Sequence, residues 1–346
     1  MGGWLGLWLS HLGAEVTGYA LAPPTEPNFF QSIIRDGDLR SVHGDVRDLV
    51  ALRAAVEDAR PEIAFHLAAQ PLGRRAHDDP VTTYATNIMG TVNLLEALRG
   101  CDGLQAALVV TTDKVYDNRE WAWGYREDDA LGGHEPYGAS KAAAEMVTHA
   151  YRQGYFADAK IPVGLATARV GNVIGGGDWS EDRLVPDAIR AFSEQKPLVI
   201  RFPEATRPWQ HVIEPLRGYL MLVERLAIEA EEFSGAWNFG PTEDDVRPVS
   251  WVAERLAERW GGAARVELGS RVGPPESKLL SISSAKAIAE LGWRPVWPID
   301  VALDRTVEWY RCFAAQGDTR ALSLEQIEAA EPGASATPGA PVTHVA

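Results

Sequence analysis

Five side chains in the middle of the sequence have the types and spacing to move protons on a bound alcohol. Thr112, Asp113 and Lys114 follow the apolar run Ala106–Val110, so a hydroxyl, a carboxylate and an amine leave one predicted strand together. Tyr137 and Lys141 stand at i and i+4 on one face of a predicted helix, with small Gly138, Ala139 and Ser140 between them. A phenol beside a fixed cation can lose its proton below its usual pKa of about 10 and act as a base. Asp113 and Lys114 would face opposite ways in a continuing strand, so they share a site only if the strand ends before them. An Asp acid must hold its proton more tightly than usual and a Lys base must shed its charge, opposite demands that suit an acid–base pair. The plainer readings are a surface Tyr–Lys pair and a solvated charge pair at a strand end. The two pairs together favour the chemical reading.

Such residues need strand ends and helix starts brought to one edge. The hydrophobic pattern predicts a helix from Trp4 to Leu12 stopped by Gly13, then strands over 14–19, 40–45, 62–67, 106–111 and 163–168. Helices are predicted over 47–58, 80–99 and 136–155 between them. This alternation means an α/β fold, a doubly wound parallel sheet with ligands at the carboxyl ends of its strands. Only Gly2 and Gly3 precede the first helix, so the sheet is expected to lack its first strand, and a truncated or misplaced start is the favoured explanation. Residues 1–170 form the predicted nucleotide-binding domain, to which later segments can return strands. Residues 171–316, with helices near 183–193, 213–230, 249–259 and 300–315, form a smaller α/β cap for the substrate. The Pro- and Ala-rich end, 331–346, is expected to be disordered.

A formal net charge of −15 excludes nucleic-acid binding through a broad basic surface. Cys101 and Cys312 stand too far apart in sequence to suggest a disulfide framework, no His/Asp/Glu spacing suggests a metal site, and no apolar run is long enough for a membrane span. A cytoplasmic protein is expected. Asp45 could hold an adenine edge, cap the helix over 47–58, or both. No acidic residue ends the strand at Tyr19, which leaves NAD against NADP open by that criterion. Arg183, Arg201 and Arg207 suit a diphosphate, since guanidinium forks match phosphate oxygens. His66 reads as a core histidine and His211 is ambiguous. Core packing is the default for Trp121, Trp123, Trp179 and Trp209.

Longer motifs surround these residues: His66-Leu67-Ala68-Ala69-Gln70-Pro71, Tyr84-Ala85-Thr86-Asn87, Asp113 to Trp121, Gly171 to Trp179, and Arg207-Pro208-Trp209-Gln210-His211-Val212. With them the chain resembles the extended short-chain dehydrogenase/reductase superfamily and its NAD-dependent epimerase/dehydratase family, on the branch of 4,6-dehydratases that take CDP-glucose. Lys114 carries the choice of branch, because the dTDP-glucose relatives have Glu there. The resemblance implies a Rossmann fold, NAD as cofactor, a nucleotide-sugar substrate, a homodimer and a role in deoxysugar biosynthesis. It implies catalysis by Thr112, Asp113, Lys114, Tyr137 and Lys141. Gly2, Asp45, Val46, Ala68, Ala69, Gln70, Asn87 and Thr111, with Tyr137 and Lys141, would line the cofactor. Asn172, Arg183, Leu184, Arg201, Arg207 and Asn238 would hold the nucleotide sugar. Two alternatives stay open: another nucleotide-sugar epimerase or dehydratase of the superfamily, and a non-catalytic nucleotide-binding protein.

Overall fold

All five side chains of Ala106–Val110 are buried, as in a strand covered on both faces. In a computed structural model that describes residues 1–157, 162–270 and 277–331, this segment is an inner strand of the main sheet. The described strands are β1 (Thr17–Ala20), β2 (Arg40–His43), β3 (Ile63–His66), β4 (Ala106–Val110), β5 (Gly164–Val170), β6 (Asn172–Ile174), β7 (Leu198–Ile200), β8 (Thr206–His211), β9 (Gly235–Phe239), β10 (Val246–Pro248) and β11 (Val266–Leu268). Four parallel strands run in the order β3-β4-β5-β9, while β1 and β2 form a separate parallel pair. The architecture is the expected doubly wound α/β sheet, and no described strand joins β1 to β3. Two small sheets, β10-β8-β6 and β11-β7, belong to the later part of the chain.

The opening helix, Gly2–His11, buries Trp4, Leu5, Leu7 and Trp8 in the main core, where Trp4 stacks on Phe29. Its indole donates to the Gly176 carbonyl at 3.0 Å. Gly176 in turn lies flat on Trp309: a Cβ there would sit 2.0 Å from the ring. Glycine is required by contact at that position.

Several boundaries differ from the sequence expectation, each for a local reason. The helix expected over 80–99 is split into Pro80–Tyr84, a π turn at Ala85–Met89, and Gly90–Leu98. The widened turn carries Asn87, whose carboxamide is taken by three partners at the site, a common reason for such insertions. The helix expected over 136–155 is α-helical from Pro136 to Tyr151 and ends in a second π turn, Arg152–Phe156. The helix expected over 47–58 begins at Leu49, because Asp48 and not Asp45 accepts from the free Val50 and Ala51 amides. Asp45 instead receives Arg47. Strand β5 runs on through Arg169 and Val170. A helix at Thr319–Ala329, where the sequence predicts no element, is tied down by Arg320, which reaches Asp38 and the Ile33 carbonyl. Trp123 is exposed, tilted against Trp121 at a centroid distance of 5.3 Å, whereas Trp209 is buried as expected. The expected disordered tail lies, from residue 332 onward, outside the described residues.

Gly176→Ala should overpack the Trp309 contact and cost about 1–3 kcal/mol, read as a lower midpoint in urea unfolding. Gly100→Ala, with nothing within 4 Å of the added carbon, is the control that should leave the midpoint nearly unchanged.

Candidate active site

The strand β4 does end before the acid–base pair. Asp113–Val115 is a single 3-10 turn capped by Thr112, whose hydroxyl accepts from the Lys114 amide and donates to Asp113 Oδ1 at 3.0 Å. The turn removes the alternation that would have sent Asp113 and Lys114 to opposite faces. Asp113 is buried, and its second oxygen has no hydrogen-bond partner among the described residues. Burial raises its proton affinity, with Lys114, Thr112 and Arg207 only partly opposing. Lys114 reaches into the pocket, its ammonium 6.0 Å from the centre of the Tyr137 ring.

The helix that carries Tyr137 and Lys141, Pro136–Tyr151, starts on a proline and is capped by Glu135, whose carboxylate accepts from the Tyr137 and Gly138 amides at 2.8 and 2.7 Å. Its first turn presses on the turn after β4: a Cβ at Gly138 would lie 2.7 Å from the Lys114 carbonyl oxygen. That close approach brings Asp113 and Lys114 beside Tyr137 and Lys141. Lys141 is buried and donates to the Val110 carbonyl at 2.8 Å. Burial pushes its ammonium down to about 8, with Glu145 opposing. Tyr137 is part-exposed, yet desolvation pushes its phenol up to about 12, against Arg183 and a hydrogen bond with Thr112. This reverses the sequence expectation of an acidified phenol. The Lys141 ammonium donates one proton to a backbone carbonyl, and burial dominates at the phenol.

Asn87 ties three segments together. Its carboxamide accepts from the Gln70 amide at 2.8 Å, donates to the Gln70 carbonyl at 3.1 Å, and donates to Ser140 on the Tyr137 helix at 2.8 Å. Ser140 passes its own proton to the Tyr137 carbonyl. Asn93 bonds the Val46 and Arg47 carbonyls, and Gly90 leaves room for Val46, which would be 2.7 Å from a Cβ there. The stretches after β2 (Asp45, Val46), β3 (Ala68, Ala69, Gln70) and β4 are thereby held at one edge of the fold, where a parallel sheet binds ligands. Gly2 is exposed at the first turn of the opening helix. Thr111 is buried with its hydroxyl given to Glu145.

A pocket beside this edge is lined by Arg74, His77, Lys114, Tyr116, His134 and Arg207, among others. Of the arginines expected to meet a diphosphate, only Arg207 lines it, buried on β8. Arg183 precedes the helix Leu184–Ser193 and lies 4.0 Å from Asp178, while Arg201 and Arg74 both pair with Asp182 at 3.3 and 3.1 Å. Asn238, on β9, accepts from Tyr116 and donates to the Tyr125 and Ser283 carbonyls, so its amide is engaged within the protein. Asn172 opens β6 in register with Trp209, and Leu184 packs against the core. His66 is a core residue bonded to Thr91, and His211 is buried between Trp4 and Trp297. No group of three metal-ligating side chains occurs among the described residues.

The sequence reading passed over Tyr116, His134, Glu135 and Glu145. Glu135 before Pro136 is a readable helix-start signal. Tyr116 and Glu145 sit two residues after Lys114 and one turn after Lys141, but their partners Asn238 and Arg169 come only from the fold.

Residues 3–238 match the NAD dependent epimerase/dehydratase family. The chain belongs to that family. It is 44% identical over 330 residues, 94% of this chain and 92% of the relative, to the CDP-glucose 4,6-dehydratase of Salmonella typhimurium. A probable dTDP-glucose 4,6-dehydratase of Sinorhizobium fredii is 26% identical over 78% of each chain. In fold the chain is similar to the UDP-glucose 4-epimerase of Thermus thermophilus, solved with NAD, with a TM-score of 0.76 at 24% identity over 90% of this chain and 95% of that one. The dTDP-glucose 4,6-dehydratase of Bacillus anthracis, also solved with NAD, gives a TM-score of 0.72 at 20% identity over 91% and 94%.

Because Asp113 has a raised proton affinity in the fold, its contribution to stability is fully present at low pH and is lost as pH rises through its folded pKa. Asp113→Asn should therefore be more stable than the parent at pH 7 and equal to it near pH 3, measured by urea unfolding at both.

Proposed function

We propose that this chain dehydrates CDP-glucose to its 4-keto-6-deoxy derivative, with NAD as resident cofactor, in deoxysugar biosynthesis. The observation that carries the reading is the turn after β4. It sets a buried carboxyl, whose proton affinity burial raises, beside a lysine opening on the pocket, next to the start of the Tyr137 helix. Removing water across C5 and C6 needs an acid and a base of this kind, whereas inverting C4 needs neither. The identity with the Salmonella enzyme supports the CDP-sugar as substrate.

The groups present fit a dinucleotide. Lys141 has three ammonium protons and gives one to Val110, and Asp45, Val46, Ala68, Ala69, Gln70 and Asn87 stand at the carboxyl ends of neighbouring strands. These residues would hold NAD, with Gly2 and Thr111 at its margins. When bound, it supplies a reversible hydride acceptor. Tyr137, hydrogen-bonded with Thr112 and seated one helical turn before Lys141, takes the proton of the sugar 4-hydroxyl as C4 is oxidised. The resulting ketone acidifies the C5 hydrogen, which Lys114 removes. Asp113 gives its proton to the 6-hydroxyl, which departs as water and leaves a C5–C6 double bond. Hydride delivered to C6 and a proton to C5 then complete the 6-deoxy ketone. Arg207 in the pocket and Arg183 and Arg201 beyond it would meet the diphosphate, with Asn172, Leu184 and Asn238 on the nucleotide-sugar side.

A cytoplasmic homodimer is part of the same reading. Among the described residues no helix is long and apolar enough to cross a membrane, and both cysteines are free. Exposed Val81, Tyr84, Met89 and Met146 lie on segments that pack side by side, a face suited to a second copy.

Purified protein with NAD should convert CDP-glucose to a product lighter by one water, and a C4 epimer of unchanged mass would overturn the reading. Lys114→Ala should still oxidise the sugar, seen as absorbance of reduced cofactor, while releasing no dehydrated product. Tyr137→Phe should lower kcat by about 10²–10⁴-fold, and an unchanged kcat would remove it from the mechanism.

A further inference from the structure

Lys141 and Glu145 are spaced i and i+4 on the Tyr137 helix, and both are buried. They reach consecutive residues at the end of β4: the Lys141 ammonium donates to the Val110 carbonyl at 2.8 Å, and Thr111 donates its hydroxyl to Glu145. The Glu145 carboxylate is fully engaged. Thr167 donates to it at 2.6 Å, and Arg169 on β5 grips it with Nε and Nη2, each at 3.0 Å. This fork geometry leaves the carboxylate no freedom to turn.

A buried ion pair is by itself a poor source of stability, because desolvating two charges offsets most of their attraction. Here the carboxylate is paired with Arg169, while Lys141 stands one turn before it on the same helix face with a backbone carbonyl as its one hydrogen-bond partner among the described residues. We propose that Glu145, fixed by Arg169, is a positioning residue of the catalytic pair: it supplies the counter-charge that seats the Lys141 ammonium at the end of β4. The inference rests on reading Tyr137 and Lys141 as that pair. The same guanidinium reaches the pocket, since Arg169 Nη1 donates to Tyr116 Oη and to the Glu127 carbonyl, both at 2.8 Å. Tyr116 then donates to Asn238 at 2.7 Å and lines the pocket beside Lys114. One carboxylate therefore anchors both the hydride-step lysine and the pocket wall.

The other groups around Lys141 do not replace it. His66, on β3, is buried and its imidazole is pushed down to about 3, so it stays neutral. Tyr137 shares the helix, and Asp113 and Lys114 occupy the turn after β4. The helical run 80–98 contributes uncharged Thr83, Asn87, Thr91 and Asn93 as its buried polar residues, while its Glu96 pairs outward with Arg99. Arg74 and His77 of the helix Gly73–Asp78 line the pocket. Glu145 opposes the loss of the Lys141 proton.

The test is the titration of Lys141 in the folded protein, followed without substrate by nitrogen resonance of labelled lysine and assigned with Lys141→Met. Glu145→Gln alone leaves Arg169 buried without its partner, so the double variant Glu145→Gln/Arg169→Gln is made beside it. Both should titrate Lys141 at least about one unit below the parent, and the basic limb of kcat/KM should move to lower pH by the same amount. Glu145→Asp, which keeps the charge, should restore most of the limb. A Lys141 midpoint unchanged in the double variant overturns the proposal, leaving Glu145 a purely structural partner of Arg169. If the parent fails to convert CDP-glucose, the proposed reaction falls, while the lysine titration still decides the role of Glu145.

Discussion

The site hangs on the way β4 ends. Its pairing with β3 stops at Val109, so the Val110 carbonyl accepts from Lys141, while the Thr111 amide makes one last bond to β5 at Ala168. Past that point the backbone turns within three residues, and the chain's acid and its proposed base are carried by the turn. An uninterrupted strand would have buried one of them on the wrong face. A longer loop would have cost the tight approach of Gly138 to the Lys114 carbonyl. The geometry follows from a strand that stops one residue after its neighbour.

Desolvation then acts on all three groups in the same sense, toward neutrality. It raises Asp113, raises Tyr137 and lowers Lys141. For Asp113 that is the state an acid needs. For Tyr137 it is the wrong direction, and Thr112 and Arg183 oppose it only in part. For Lys141 it threatens the charge itself, which Glu145 resists. Burial alone would give a neutral, inert pocket, so the specific partners decide which group keeps which proton. Their arrangement strains stability, as functional sites commonly do.

Much of this was legible in the sequence, and what was not has a common cause. The Tyr137–Lys141 spacing, the strand ending near Val110 and the alternating βα pattern are local signals, and the fold carries them. The π turn at Ala85–Met89 left no trace, because one extra residue in a helical turn barely changes the apolar period, while its purpose lies in contacts to Gln70 and Ser140. Asp45 and Asp48 compete as caps three residues apart, and only backbone direction separates them. Arg169 lies on β5 one residue past the expected strand end at Ala168, and its partner Glu145 lies 24 residues away in sequence. The phenol of Tyr137 misled for the same reason: residue type promised a cation nearby, but not where that cation would spend its proton.

The likeness to a 4-epimerase and to a 4,6-dehydratase at comparable TM-scores shows how little the frame says about the reaction. An alcohol oxidation at C4 needs a phenol and an ammonium at the start of one helix, and that demand is common to both chemistries. Elimination adds a requirement for a proton donor and a proton acceptor within reach of adjacent carbons. Meeting it takes no new element, only two side chains on a turn that the fold already needs to end β4. In the proposed reaction the specificity is therefore concentrated at Asp113 and Lys114, in three residues of 3-10 geometry, while the rest of the sheet serves to place that turn against the Tyr137 helix.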